Sequence, residues 1–533
     1  MKKWLIPILC LCMAFSTAAA KEGETLIVLA GDQITVGSEA IRSDASLPVY
    51  LTLETQTHED VADDLKNLEN RVVNITSAGS YRISGEAKDV QVAVRAGEND
   101  DVRLILDGVN ITCRTAPAII GESARDPRIT GEYGLTIELA DGSENFITGS
   151  HTKAPDDDET AVEYDGAISS RVSMGFEGGG SLTIDADNEG VEVSSGHMTI
   201  NGGVFHIAAC DDPLNVSEDG VGTLTVNDGY VYSAVKPLEG GEGDGIDSNG
   251  YIVFNGGTVI NLAHPNSQDG GIDSDMGSSI NGGVIVGAGN MYDPIEETSG
   301  QLFMMLEFGQ ATNDLVVVTD ENEQPVFAYD FPHDYMYIAF STPQLKEGTY
   351  HVYLGGEIQG TQTDGLYTEI TSYTPGVRMQ HGEGNAQQRG GGMPPMDMPQ
   401  GGGRGGQGGR GQGGRMQSDM QNVIAYEQAI SKLNLNTLLA GADLNELLKG
   451  KDLNKLLSGL SVKDLLTQEQ IAEYLGGVDI DAAEALAPFT RGFGGMGGFG
   501  GGPRGMQSSA DVATTQFHLS KSATGFTNVI AAP

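Results

Sequence analysis

The residues best placed to do chemistry are aspartates that recur in step. Asp244, Asp247 and Asn249 are followed one repeat later by Asp269, Asp273 and Asp275, while Asp211 and Asp219 precede them. If the repeats stack as β-strands, equivalent side chains stand about 4.8 Å apart. Carboxylates that close repel by roughly 1 kcal/mol in water, and by more where the effective dielectric is lower. A cation between them removes the repulsion. Calcium suits the set, because it takes roughly six to eight oxygen ligands in flexible geometry, turn carbonyls and water included. Zinc wants His or Cys, and His197, His206 and His264 stand isolated along the chain. The run from Asp244 to Asn255 is not an EF-hand loop, since its third residue is Ile246 and its twelfth is Asn255. The alternative is that each Asp forms its own turn and faces water.

Neutral sugars would need aromatic platforms, and the same stretch offers Tyr230, Tyr232 and Tyr251. These tyrosines are equally readable as a stacked ladder, and Phe254 as core. A β-elimination on a uronate needs a basic Arg or Lys. Between Val172 and Leu345 there is no Arg, and the one Lys is Lys236, ahead of Pro237; Arg95 and Arg171 lie earlier. Glycoside hydrolysis needs two or three carboxylates at defined separation, and Asp187 with Asp211 and Asp212 is the candidate set.

Two turn ladders must position these residues. Asn201-Gly202-Gly203, Asn227-Asp228-Gly229, Asn255-Gly256-Gly257 and Asn281-Gly282-Gly283 begin 26, 28 and 26 residues apart, each after an apolar residue: Ile200, Val226, Phe254 and Ile280. Asn-Gly turns tolerate positive φ. Half a period away, the anchors Ile168, Val191, Leu214, Ile246 and Ile272 follow acidic or glycine turns at intervals of 23, 23, 32 and 26 residues. The long interval holds the insert Glu239 to Gly243, as expected when insertions are confined to loops. One coil per ~25 residues, stacked in parallel, accounts for both ladders. The fold expected is all-β: a parallel solenoid over 71–300 and a β-rich cap over 301–375.

At these residues the chain resembles a known family. Ile75-Thr76-Ser77-Ala78-Gly79-Ser80-Tyr81-Arg82-Ile83-Ser84-Gly85, the run Val102 to Thr112, Asn145-Phe146-Ile147, Asp165-Gly166-Ala167-Ile168-Ser169-Ser170 and the Asn-Gly-Gly rungs are similar to the bacterial carbohydrate-binding β-helix family related in fold to pectate lyases. Ser341-Thr342-Pro343-Gln344-Leu345 with Gly348-Thr349-Tyr350 resembles its closing segment. The resemblance spans roughly 70–356. It implies a right-handed parallel β-helix that carries calcium and binds polysaccharide, acidic glycans such as polygalacturonate above all and cellulose as a neutral alternative, without catalysis. The basic and histidine motifs of polygalacturonases are missing here, which leaves lyase or hydrolase activity as the second reading and a structural adhesin as the third. Asp212-Pro213-Leu214 departs from the glycine turn of neighbouring rungs, which puts a metal at that rung in doubt.

Around this body the composition changes. Lys2 and Lys3, the apolar run Trp4 to Phe15 and the small residues to Ala20 have the order of a signal peptide cleaved after Ala20, so a secreted or cell-surface protein is expected. No stretch has the ~18–20 apolar residues of a membrane span. Entry strands occupy 21–70, where Val61, Leu65 and Leu68 fall at helical spacing and suggest a capping helix. A Gly/Arg/Gln/Met-rich linker follows at 376–420, then a nonapeptide repeat of leucine pairs over 421–490 that reads as a small helical module able to dock a protein partner, then a glycine-rich linker and tail over 491–533. A net charge of −44 excludes nucleic acid, whose binding requires neutralising phosphates with Lys and Arg. Outside the signal segment the cysteines are Cys113 and Cys210, at most one disulfide.

Overall fold

The computed structural model describes residues 21–58, 61–153, 163–296, 298–381, 516–519 and 526–531. The expected signal segment, the helical module over 421–490 and the glycine-rich linkers from 382 to 515 lie outside them. Among the described residues every regular element is a strand.

The chain visits three parallel ladders in turn. The first runs through Leu135–Leu139, Met174–Gly178, His197–Ile200, Thr223–Val226, Tyr251–Phe254 and Gly277–Ile280. The second runs through Glu144–Gly149, Ser181–Ala186, Val204–Ala209, Tyr230–Val235, Thr258–Leu262 and Val284–Gly289. The third contains Glu69–Ile75, Val90–Arg95, Ile119–Ser123, Gly166–Ser170, Glu189–Val193, Leu214–Val216 and Asp247–Ser248. Alternate side chains of each strand point inward and stack in columns: Phe176, Ile200, Val226, Phe254 and Ile280 are neighbours in register and fully buried. The anchors Ile168, Val191, Leu214, Ile246 and Ile272 are likewise buried. This column packing is the main source of stability, since each buried aliphatic side chain contributes roughly 1.5–3 kcal/mol.

The Asn-Gly-Gly turns between the first and second ladders form a polar column of their own. Asn227 Nδ2 donates to Asn201 Oδ1 at 2.7 Å, Asn255 to Asn227 at 2.8 Å and Asn281 to Asn255 at 2.9 Å. Tyr133 Oη closes one end and Gly300 N the other. Positive φ falls on the third residue of each turn, Gly203, Gly229, Gly257 and Gly283. That explains why Asp228 replaces the middle glycine without strain.

At the entry, Glu24–Ala30 pairs antiparallel with Gln33–Val36, and Val49–Thr55 pairs antiparallel with Glu69–Ile75. The expected capping helix is absent: Leu65 N donates to Ala62 O and Leu68 N to Leu65 O, which are successive tight turns. So short a stretch does not repay helix nucleation. Paired strands take over the end-covering role.

The cap is mostly antiparallel, with one parallel pairing, and larger than expected. Tyr335–Ser341 pairs with both Val284–Gly289 and Phe303–Thr312, so it seals the last coil. Gly348–Thr363 and Leu366–His381 form a long hairpin, which carries strand structure to residue 381, past the boundary drawn at 375. The expected tail returns as two strands. Phe517–Leu519 joins the hairpin, and Phe526–Ala531 inserts between Phe303–Thr312 and Leu366–His381. Phe517 and Leu519 are buried in the cap core. Cys113 and Cys210 are both free thiols, so no disulfide joins the described residues.

Two substitutions test the turn column. Asn255→Ala removes two exposed amide–amide hydrogen bonds and is expected to lower unfolding free energy by about 1 kcal/mol. Gly257→Ala forces a side chain onto φ +78° with its Cβ 2.7 Å from Gly229 O, and is expected to cost about 2–3 kcal/mol. Urea titrations that rank the two in the opposite order would contradict this reading of the turns.

Candidate functional site on the acidic third ladder

The residue after each inward anchor points outward, because side chains alternate along a strand. In register these are Ser169, Glu192, Asn215 and Asp247. Asp273 extends the column: its N donates to Ile246 O at 3.0 Å and its O accepts from Ser248 N at 3.2 Å, the pattern of a parallel partner to Asp247. The pairing of Asp247 with Asp273 expected from the repeat therefore stands.

Asp244 and Asp269 are not partners. Gly245 N donates to Gly270 O, so Gly270 is opposite Asp244, and Gly270 N donates to Asp244 Oδ1 at 2.5 Å. The coils are offset by 26 residues here, and a slip of one residue turns a side chain to another face. Asp269 instead accepts from Gly243 N at 2.8 Å. The outcome is a tight triplet: carboxylate oxygens of Asp244, Asp247 and Asp273 all lie within 4.8 Å of one another.

Other residues take different places. Asp275 N donates to Ser248 O on the neighbouring coil, and its charge acts on Asp247 and Asp273. Asp211 lies in the turn beside Asp212, next to Glu242 and Asp269. Asn249 and Asp219 satisfy each other through a 2.9 Å hydrogen bond, so the structure does not bring them to the triplet.

Burial and mutual repulsion set the electrostatics. Burial, then the charges of Asp273 and Asp212, pushes Asp244 up to about 9. Burial and neighbouring aspartates push Asp212 to about 8, and Asp247 and Asp273 each to about 7. Burial followed by Glu242 and Asp269 takes Asp211 to about 6. Further up the column, burial raises Glu192 to about 7 and, with Glu192 and Asp212 beside it, raises Glu189 well above its ordinary range. Lys236 is engaged elsewhere, donating to Ala186 O at 2.6 Å and pairing with Asp185. This donor set is all oxygen and turns anionic once its protons are displaced, which is the chemistry of a hard divalent cation.

Glu189, Glu192 and Asp293 carry no flag in the sequence, and Asp212 is flagged there only as a hydrolase carboxylate and as a departure from the glycine turn. The signal for Glu192 was available: it follows the anchor Val191 as Asp247 follows Ile246. Asp212, set aside for its departure from the glycine turn, accepts from Asp244 N at 2.6 Å and belongs to the row.

The tyrosines are arranged differently from the expected sugar platforms. Asp364, at the tip of the cap hairpin, accepts from Tyr230 Oη at 2.7 Å and lies 3.0 Å from His206 Nε2. Tyr230 and Tyr232 pack against the cap core. Tyr251 remains half-buried on the first ladder. Phe254 is core.

The family model of carbohydrate-binding domain-containing proteins matches residues 69–299. That interval holds the three ladders and the whole acidic row. A carbohydrate-binding domain-containing protein of Acetivibrio thermocellus is 32% identical over 156 residues, which is 29% of this chain and 50% of the relative. The chain thus matches about half the length of that relative. A solved polysaccharide lyase-like protein from C. thermocellum, a gadolinium derivative, aligns with a TM-score of 0.33 and 24% identity over 49% of this chain and 89% of its own.

The raised carboxylates make a signed pH prediction. Their folded pKa values lie above the unfolded aspartate value near 3.9, so the folded state binds more protons between those limits. Stability is then fullest at low pH and is lost as pH rises. In chelator, the melting temperature is expected to fall between about pH 5 and about pH 9, where Asp244 finally ionises. Asp244→Asn should flatten that slope; a wild-type profile that rises toward pH 9 would contradict the electrostatics.

Proposed function

We propose that this protein binds polysaccharide outside the cell, using calcium held on the acidic face of a right-handed parallel β-helix. The observation that carries the reading is the Asp244, Asp247 and Asp273 triplet, whose carboxylate oxygens lie within 4.8 Å of one another. Calcium accepts such carboxylates together with turn carbonyls and water. Asp212 accepts from Asp244 N and Asp293 hydrogen-bonds Asp273, so both are the nearest candidates for further oxygen ligands. Export through residues 1–20 would bring the protein to a calcium-rich medium.

The bound ion also supplies a way to hold an acidic glycan. A chain of net charge −44 repels a uronate, whereas an incompletely coordinated calcium joins a protein carboxylate to a sugar carboxylate. Pectin-like glycans are therefore the preferred class. Stacking of neutral sugars is less favoured, because Tyr230 and Tyr232 are engaged by the cap. The family match over residues 69–299 supports carbohydrate binding in the ladders themselves.

Binding is favoured over elimination because two of the three candidate bases, Lys236 and Arg95, are occupied. Lys236 is held by Ala186 and Asp185, and Arg95 pairs with Glu54 and Glu122. Neither is poised to remove a proton.

Affinity electrophoresis through gels containing polygalacturonate tests the proposal. Retardation is expected in calcium, lost in chelator, and weakened at least about tenfold by Asp273→Asn, equivalent to about 1.4 kcal/mol. Retardation that survives chelator would remove calcium from the mechanism. Absence of binding to every glycan tried would remove the polysaccharide, and accumulation of unsaturated uronates would replace binding with elimination.

A further inference from the structure

The turns that join the second ladder to the third form one edge of the molecule, and their donor chemistry changes along it. Toward the cap its clustered side chains are carboxylates, and the nitrogens of His264 and Lys236 are held by Leu238 O and Ala186 O. Toward the entry it gains nitrogen. His151 follows the strand Glu144–Gly149, Asp187 follows Ser181–Ala186, and His58 reaches the same place from the loop after Val49–Thr55. One ligand atom from each of His58, His151 and Asp187 lies within 4.8 Å of the others.

We propose that these three side chains form a binding site for a zinc-class transition-metal dication, separate from the oxygen-only row. His151 Nδ1 stands 3.3 Å from Asp187 Oδ1, and His58 Nε2 stands 3.8 Å from Asp187 Oδ2. A tetrahedral ion with bonds of about 2.0–2.1 Å spaces its ligand atoms by about 3.3–3.4 Å. The two observed separations run to different oxygens of Asp187: the His151 distance has that edge length and the His58 distance is longer, so a bound ion would draw His58 and one carboxylate oxygen closer. Two imidazoles in the set select against calcium and magnesium, which take hard oxygen donors, and in favour of zinc and its neighbours.

The surroundings have the parts of a built site. His58 is almost wholly buried, with 5% of its side chain exposed. Ser150, also buried, donates from Oγ to Asp187 Oδ2 at 2.6 Å and lies 3.0 Å from His58 Nε2. It therefore orients the carboxylate, as outer-shell partners of metal ligands do. On the solvent side, Lys153, Glu163, Asp165 and Asn188 join the three ligands around an open cleft of about 470 Å3. A fourth coordination position would face that cleft and take water or a ligand donor.

The ion would also fasten the chain. His58 belongs to the entry segment, whereas His151 and Asp187 belong to successive coils. Metal binding closes all three into one unit, and ligands that meet only in the folded state turn binding energy into folding energy.

The test uses the full chain, stripped with chelator and then kept in excess calcium so that the acidic row is saturated. Calorimetric titration with Zn2+ should show one site and a raised melting temperature. Co2+ should give the intense visible bands of a four-coordinate ion. His151→Ala, whose side chain is partly exposed, and the isosteric Asp187→Asn should each weaken zinc at least about 100-fold, and Ser150→Ala about tenfold. Neither ligand variant should alter the melting temperature gained from calcium. Asp273→Asn should leave zinc affinity unchanged. No zinc binding in calcium, a six-coordinate Co2+ spectrum, or loss of zinc in Asp273→Asn with retention in His151→Ala would each overturn the assignment.

Discussion

Repulsion between stacked carboxylates is the constraint on which the rest of the structure turns. The parallel register brings Asp273 over Asp247 through two backbone hydrogen bonds, and Asp244 is held by Gly270 N and by Asp212. The backbone register therefore fixes where these residues stand, one coil apart. Columns of Phe254, Val226 and Ile280 on the inside fix the coils at strand spacing whatever the outer face carries. The acidic face is therefore a charge problem imposed by the hydrophobic core. The molecule can answer it with protons, which the raised pKa values express, or with a divalent ion.

Asparagine shows the neutral version of the same geometry. Asn201, Asn227, Asn255 and Asn281 stack at the opposite turn of each coil, and each amide donates to the next. An amide has both donor and acceptor, so identical side chains one coil apart attract. A carboxylate is acceptor only, so identical carboxylates repel. Two turn columns of one fold thus differ in a single functional group: one closes on itself and the other is left open to a cation.

Much of this was legible in the sequence because the coils repeat. The anchors Ile168, Val191, Leu214, Ile246 and Ile272 located the third ladder, and the Asn-Gly-Gly rungs located the first. Asp247 and Asp273 pair at the 26-residue offset of these coils, whereas Asp244 and Asp269 stand 25 residues apart and miss that offset by one. Contacts that cross between distant segments left no periodic trace. Asp364 reaches Tyr230 across 134 residues and His58 reaches Ser150 across 92. Residues 61–68 form turns and not a helix because three apolar residues at helical spacing do not outweigh the cost of a first turn.

The central claim is that a divalent ion replaces protons on the acidic row. Calcium titration calorimetry at pH 7 in two buffers of different ionisation enthalpy measures that exchange directly. The account predicts that the apparent binding heat depends on the buffer, with protons released as calcium enters, and that Asp244→Asn reduces the release. Calcium binding with a heat that is the same in both buffers, or no binding at all, would contradict it.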